Sequence, residues 1–280
     1  MTTVAQLIQQ TWVNGFSSTM RITRVGTDGR IIGPYSSTTG ASGTYIAVGA
    51  IDVNMAVPAA EAPGVPISVA IYWKALDTYR HKRNQSWNWV SAMSGQLMMD
   101  KNNQPHLNFM HGLTASSSWI DSPAVDTVPG TYQGQLHFVP YVPIGEQEEP
   151  ATVDLPDLPN DASCNVATAS WTCNQDPSIS MVLSAPDQYG VVWGTYTNSL
   201  GAYELQGVID IDAASQGLNL QSISLSTLVQ DPESNSVAAL TLSGDIDLST
   251  NVMSTTVMTS RSKDQSNIFY QTAVSSLTFS

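Results

Sequence analysis

Asn14, Ser18, Tyr35 and Ser37 are four uncharged hydrogen-bonding side chains that stand where apolar alternation stops, in TWVNGFSSTMRI (Thr11–Ile22) and GPYSSTTG (Gly33–Gly40). An amide, two hydroxyls and a phenol can all donate to or accept from a neutral polar group. None of them brings the charge or the nucleophile–base pairing of a covalent catalyst. The set suits a grip on a neutral ligand. The alternative is that these side chains only satisfy backbone groups at strand ends. No Gly-x-Ser-x-Gly, phosphate loop or dinucleotide fingerprint occurs, so no catalytic residue and no enzyme is expected. His106, His111 and His137 are scattered without metal-site spacing, and the acids of IDID, DPES and GDIDL are read as turn chemistry, so neither metal nor cofactor is expected.

The elements that must position such a grip are strands. Met20, Ile22 and Val25 are spaced for a strand beginning near Trp12, and GTDG (Gly26–Gly29) has the Asp and Gly of a hairpin turn. RIIGPYSS, GTYIAVGAIDVNM, VPISVAIYWKAL, WNWVSAMSGQLMMD, PHLNFMHGLT, SSSWIDSPAV and TYQGQLHFVPYV follow as further strands up to Val142. No helical period is long enough to matter. Eight strands in succession suggest an up-and-down barrel, because closure removes exposed sheet edges.

Charge divides the chain. Up to Pro143 there are eight Lys+Arg and seven Asp+Glu; from Ile144 onward there are two and sixteen. VPIGEQEEPATVDLPDLPND (Val142–Asp161) holds four prolines and a run of acids, which keep it extended and unpaired. Eight more strand-like segments follow, from ASWTCN to NIFYQTAVSSLTFS. GPYSSTTG at 33–40 is echoed by GTYTNSLG at 194–201, a weak internal repeat. The expected organisation is all-β, with two tandem eight-stranded antiparallel up-and-down barrels: 1–141, an acidic Pro-rich linker at 142–162, and 163–280.

The net charge of −13 argues against nucleic acid or an anionic membrane as partner. No apolar run of about 18 residues is present, and MTTVAQLIQQTW lacks the basic start and apolar core of a secretion signal, so a cytoplasmic or non-classically secreted protein is expected. Cys164 and Cys173 either pair or remain free thiols, and NQS at Asn84–Ser86 is a sequon that matters only on export.

The order and spacing of TWVNGFSSTM, GTDGRIIGPYSSTTG, VAIYWK, SAMSGQL and SSSW resemble the avidin/streptavidin family over about residues 10–138. The resemblance implies an eight-stranded barrel with a ligand cavity in one mouth, often in a dimer or tetramer. The expected partners are therefore biotin or a similar small molecule, and a second copy of the chain. It implies roles position by position. Asn14, Ser18 and Tyr35 match donors to the ureido oxygen of biotin. Ser37 matches a partner of one ureido N–H, and Thr39 and Gly40 fall in the loop that closes over the ligand. Trp73 matches a wall tryptophan, with Lys74 after it, and Ser91 a hydroxyl near the thioether sulfur.

Departures accompany the match. Met93 replaces a second aromatic wall, His111 (or Phe109 in a shifted register) stands where the family has a tryptophan, and Leu136 aligns with an aspartate. Losing a buried N–H partner costs about 1–3 kcal/mol and an aromatic wall about 0.5–1.5, so two or three losses weaken binding by roughly 10²–10⁴-fold. In the second barrel Trp171, Tyr196 and Asn198 match, but Cys173 and Pro177 replace the Asn and Ser, and no Trp-Lys pair follows; it is not expected to bind biotin. Two rival readings are a lectin-like or defence protein using the aromatic, basic stretch YRHKRNQSWNW (79–89), and an assembly role for the acidic second barrel without ligand.

Overall fold

Apolar residues at alternate positions of a strand share one face. In β6 (Val65–Lys74) that face carries Val65, Ile67, Val69, Ile71 and Trp73, and all five lie in one buried core with Tyr45, Ala47 and Ile51 of β5 (Gly43–Ile51). The sheet buries this face by curling shut. The computed structural model describes residues 2–38, 42–60, 62–76, 86–116, 130–142, 155–156, 167–230, 236–262 and 270–280. Within them run β1 (Thr11–Asn14), β2 (Thr19–Arg21), β3 (Arg24–Val25), β4 (Arg30–Ser37), β5, β6, β7 (Ser86–Met99), β8 (Pro105–Ala115) and β9 (Gly130–Pro140). Neighbours are antiparallel, β2 and β3 are two pieces of one strand lying along β4, and β9 returns to β1 through Trp12↔Pro140 and Asn14↔Phe138. The result is a closed barrel of eight strands.

Two local expectations change. The single strand expected from Trp12 to Val25 is instead a hairpin: Ser17 N–H donates to Asn14 O at 3.0 Å, with Ser17 at φ +63°. The lead-in contains a short helix, α1 (Val4–Ile8), started by a Thr3/Gln6 capping box and too brief to show a period in sequence. Val4 and Ile8 join the barrel core, and the Trp12 indole donates to Ile8 O at 3.1 Å. Of the strand expected in SSSWIDSPAV, residues 117–125 lie outside the described residues.

The second sheet comprises β10 (Ala167–Thr172), β11 (Ser180–Ser184), β12 (Val191–Asn198), β13 (Gly201–Ile209), β14 (Leu220–Gln230), β15 (Val237–Asp247), β16 (Val252–Ser262) and β17 (Tyr270–Phe279), paired in chain order. Its ends meet: Thr172 and Ser280 exchange N–H···O bonds of 3.0 Å, and Asn174 N–H donates to Thr278 O at 2.8 Å. The fold is thus all-β with two tandem up-and-down barrels. The internal repeat is structural. Trp12 faces Met20 and Met20 faces Tyr35, as Trp171 faces Met181 and Met181 faces Tyr196. Gly33 and Gly194 occupy matching places; a Cβ there would sit 1.7 Å from Arg21 O and 1.8 Å from Val182 O, so only glycine permits the strand approach.

The barrels pack wall to wall, β6 on β14 and β7 on β15. Ile32, Ile46, Val48, Ala70, Tyr72 and Val90 on the outer face of the first barrel form a core with Val191 and Val208 of the second. Serines cross beside it: Ser226 Oγ donates to Ser68 Oγ at 2.7 Å, Ser94 Oγ to Ala239 O at 2.8 Å and Ser224 Oγ to Ser91 O at 2.9 Å. Burial on both faces explains why VPISVAIYWK reads as a nearly unbroken apolar run. Of the acidic Pro-rich stretch, only Val142, Leu155 and Pro156 are described; Arg24 Nη2 donates to Leu155 O at 2.9 Å.

Candidate functional site

The turn after β1 sets the first polar group. Asn14 Oδ1 accepts from the backbone N–H of Phe16 and of Ser18, each at 3.0 Å. Both donors are fixed backbone amides, so the carboxamide oxygen is committed and its NH₂ must point the other way. Tyr35, on β4, lies within hydrogen-bond reach of the Ser18 and Asn14 side chains. Its phenol is held above the usual tyrosine range, because burial disfavours the phenolate more than those two partners favour it, so it stays a donor near neutral pH. Asn14, Ser18 and Tyr35 therefore form one polar cluster, and all three line a cavity of about 370 Å³. Ser37, two residues beyond Tyr35 on the same face, also lines it.

The aromatic wall is Trp73. Its ring packs edge-on to Tyr35, with centroids 5.9 Å apart at 69°, and against Tyr45 at 4.8 Å. Its indole donates to Ser91 Oγ at 2.9 Å, and Ser91 Oγ lies 3.0 Å from His111 Nε2. With one proton from the indole already accepted, the serine hydroxyl donates its own to His111 Nε2, which leaves the imidazole proton on Nδ1. That order needs a neutral ring. Burial pushes the His111 imidazole down to about 4, so it is neutral at pH 7. Ser91 is fully buried behind the cavity surface, where it positions Trp73 and His111 rather than facing the space.

Of the residues singled out in the sequence, Asn14, Ser18, Tyr35, Ser37, Trp73, Met93 and His111 share this one cavity. Thr39 and Gly40 lie outside the described residues. His111, not Phe109, takes the cavity position on β8, because Phe109 is buried two residues deeper and packs edge-on against Phe138. Sequence reasoning missed Phe16, Ile71 and Leu113, which also line the cavity. The alternation of β6 and β8 signals the last two, since Ile71 and Leu113 share parity with Trp73 and His111. Leu136 lines the same space and gives it an apolar side chain there.

The matching corner of the second barrel is different. Cys173 is a buried free thiol bonded to Gln175 Oε1 at 3.4 Å, and Asn198 Oδ1 is used by its own turn, accepting from Leu200 and Gly201 N–H at 2.8 and 3.2 Å. Cys164 and residues 79–85 of the aromatic, basic stretch lie outside the described residues; of its described part, Trp89 is buried in the first core. Among the described residues no three His, Cys, Asp or Glu side chains gather as a metal site.

Comparison with known proteins agrees with this geometry at the level of family. No curated protein matches the chain. Two solved structures that resemble it are a crystal structure of a shwanavidin variant in complex with biotin and an apo shwanavidin structure. The first is 22% identical, with a TM-score of 0.34, over 48% of this chain and 95% of that one. The second is 20% identical, with a TM-score of 0.34, over 48% and 97%. Residues 2–131 match the model of the avidin family. With the closed barrel and its polar corner in place, this first portion of the chain is similar to the avidin family.

Proposed function

We propose that the first barrel is a small-molecule-binding module that takes biotin, or a ligand with the same neutral cyclic urea chemistry, in its mouth. The observation that carries this is the clustering of the Asn14, Ser18 and Tyr35 side chains in the lining of a cavity that Trp73 also lines. Three clustered donors suit a single strongly accepting oxygen, and an aromatic face suits a flat ring. The cavity is of ligand size, and the serine bonded to its histidine, Ser91, is buried behind the wall and accepts from the Trp73 indole, which favours binding over turnover. Met93 and Leu136 in place of an aromatic and a carboxylate weaken the grip relative to the family's tightest complexes, by roughly 10²–10⁴-fold. Calorimetric titration with biotin tests the reading: saturable heat that Tyr35→Phe reduces supports it, and no heat at millimolar biotin removes it.

The same reading divides the chain into a ligand-binding barrel at 1–141, a linker at 142–162 and a non-binding barrel at 163–280. The serine bonds and the shared apolar core between the walls favour an assembly role for the second barrel, as a permanently tethered partner of the first.

A further inference from the structure

Trp73 sits at an irregular point of its sheet. The ladder between β6 and β7 runs to Tyr72↔Val90 and resumes at Lys74↔Ser86, so residues 87–89 of β7 bulge opposite Trp73 alone. Asn88, at the centre of the bulge, takes φ +56°, a left-handed conformation. A wall residue facing a bulge has no regular ladder pairing there, so beside the Ser91 bond its place depends on what holds its neighbours.

Those neighbours are held by the other barrel. Tyr72 Oη donates to Asp210 Oδ1 at 2.7 Å, and Asn88 Nδ2 donates to Asp210 Oδ2 at 2.9 Å. The Asp212 N–H completes the set on Oδ1 at 2.9 Å, and Asp210 is fully buried. Lys74 Nζ reaches the two carboxylate oxygens of Asp212 at 3.0 and 2.9 Å. Ser222 Oγ donates to Asn88 O at 2.8 Å from the same side. Tyr72, Lys74 and Asn88, which bracket Trp73 on its own strand and on the bulge, are thus all anchored to the second barrel.

Packing of the two walls does not by itself demand this lock. Gly49 abuts Ser68 O and Gly207 abuts Ser224 O, which makes Ser68 and Ser224 counterparts in the two barrels. Since β6 lies on β14 and β7 on β15, the barrels are related by an approximate twofold relation. At the equivalent place the partners are Leu228, Gln230 and Val237, opposite Asp52 and Asn54. There the barrels part around a cleft of about 490 Å³. Among the described residues the carboxylate lock thus sits at the end that carries the Trp73 cavity, where its counterpart positions line a cleft.

We infer that Asp210 and Asp212 of the second barrel are positioning residues for the ligand pocket of the first. By clamping the strand and bulge around Trp73, they hold the aromatic wall in its binding position, so the non-binding barrel sets the affinity of the binding one. The inference rests on the ligand reading above, with Trp73 as its wall.

The test uses the full chain with 5-fluorotryptophan, the ¹⁹F resonance of residue 73 being assigned by its absence in Trp73→Phe, and titration with biotin. Asp210→Asn removes an acceptor oxygen from Asn88, Asp212→Asn removes the charge facing Lys74, and Asp52→Asn is the control at the open cleft. The expected result is a shifted or broadened Trp73 resonance and at least tenfold weaker biotin binding in both lock variants, with Asp52→Asn like the parent in each. Should the parent bind no biotin, the ligand reading falls, while the Trp73 resonance still decides whether the lock positions the wall. If Asp210→Asn does not fold, Asp212→Asn carries the test. A Trp73 resonance unmoved in a folded lock variant, or moved equally by Asp52→Asn, would overturn the inference.

Discussion

The indole N–H of Trp73 donates to Ser91 Oγ at 2.9 Å, and through that serine the wall of the cavity is tied to His111 on the next strand. A buried hydroxyl that accepts from one side chain and donates to another fixes both, and the ring it holds lies beside Tyr35 of the polar corner.

Ser91→Ala leaves the indole N–H without its acceptor and His111 Nε2 without its donor. A stranded buried polar group costs about 1–3 kcal/mol. The expected outcome is a loss of stability of that order in urea unfolding, with an unchanged slope, and biotin binding weaker by about tenfold. A variant as stable as the parent would show that the bond does not matter.

Tyr35→Phe keeps the ring against Trp73 and removes only the hydroxyl. Biotin binding is expected to weaken by roughly 10–100-fold, the equivalent of about 1–3 kcal/mol, with little change in melting temperature. Asn14→Ala should behave differently. It also frees the N–H groups of Phe16 and Ser18, so it should lower stability by about 1 kcal/mol as well as affinity. Parallel titration and melting of the two variants separates ligand grip from turn support.

Acid acts through His111. Its folded-state imidazole is pushed down to about 4 from 6.5, so as pH falls through that window the unfolded chain takes up a proton before the folded one. Stability is full above about pH 6.5, falls between about 6.5 and 4, and levels off below, for a total of roughly 1–3 kcal/mol given the ring's partial exposure. His111→Gln is expected to remove this part of the pH dependence, as read from unfolding midpoints across pH 4–7. An equally steep profile in the variant would assign the effect elsewhere.

Leu136→Asp restores an acid at the position where the family resemblance has one. The cavity gains an acceptor for a ligand N–H, and biotin should bind at least tenfold tighter. The carboxylate replaces a half-buried leucine, which should cost about 1–2 kcal/mol of stability. Titration and unfolding of one protein sample check both signs. Weaker binding would place the ligand in a different orientation.

The strand succession of the second barrel was legible because each apolar run there is bounded by turn residues, and all eight segments appear as β10 to β17. That Asn14, Ser18, Tyr35 and Ser37 share one cavity was legible because each ends an alternation. The first hairpin was not: GFSS carries a single glycine, and the left-handed residue is Ser17. Nor was the inter-barrel face, since a strand buried on both sides differs from a core strand only in what covers it. Asp210 shows the limit most plainly. In IDID it resembles turn chemistry, the role Asp247 does play by accepting from Ser249 N–H at 2.8 Å. Asp210 does accept from Asp212 N–H at 2.9 Å in that way, but it also accepts from Tyr72 and Asn88, more than a hundred residues away.

The central claim is that the mouth of the first barrel holds a ligand between the polar corner and Trp73. A crystal structure of the full chain grown with saturating biotin tests it most directly. The account predicts density for the bicyclic ring against Trp73, with its carbonyl oxygen in hydrogen-bond reach of Tyr35 Oη, Ser18 Oγ and Asn14 Nδ2. An empty mouth at saturating biotin, or ligand density seated elsewhere on the molecule, would contradict it.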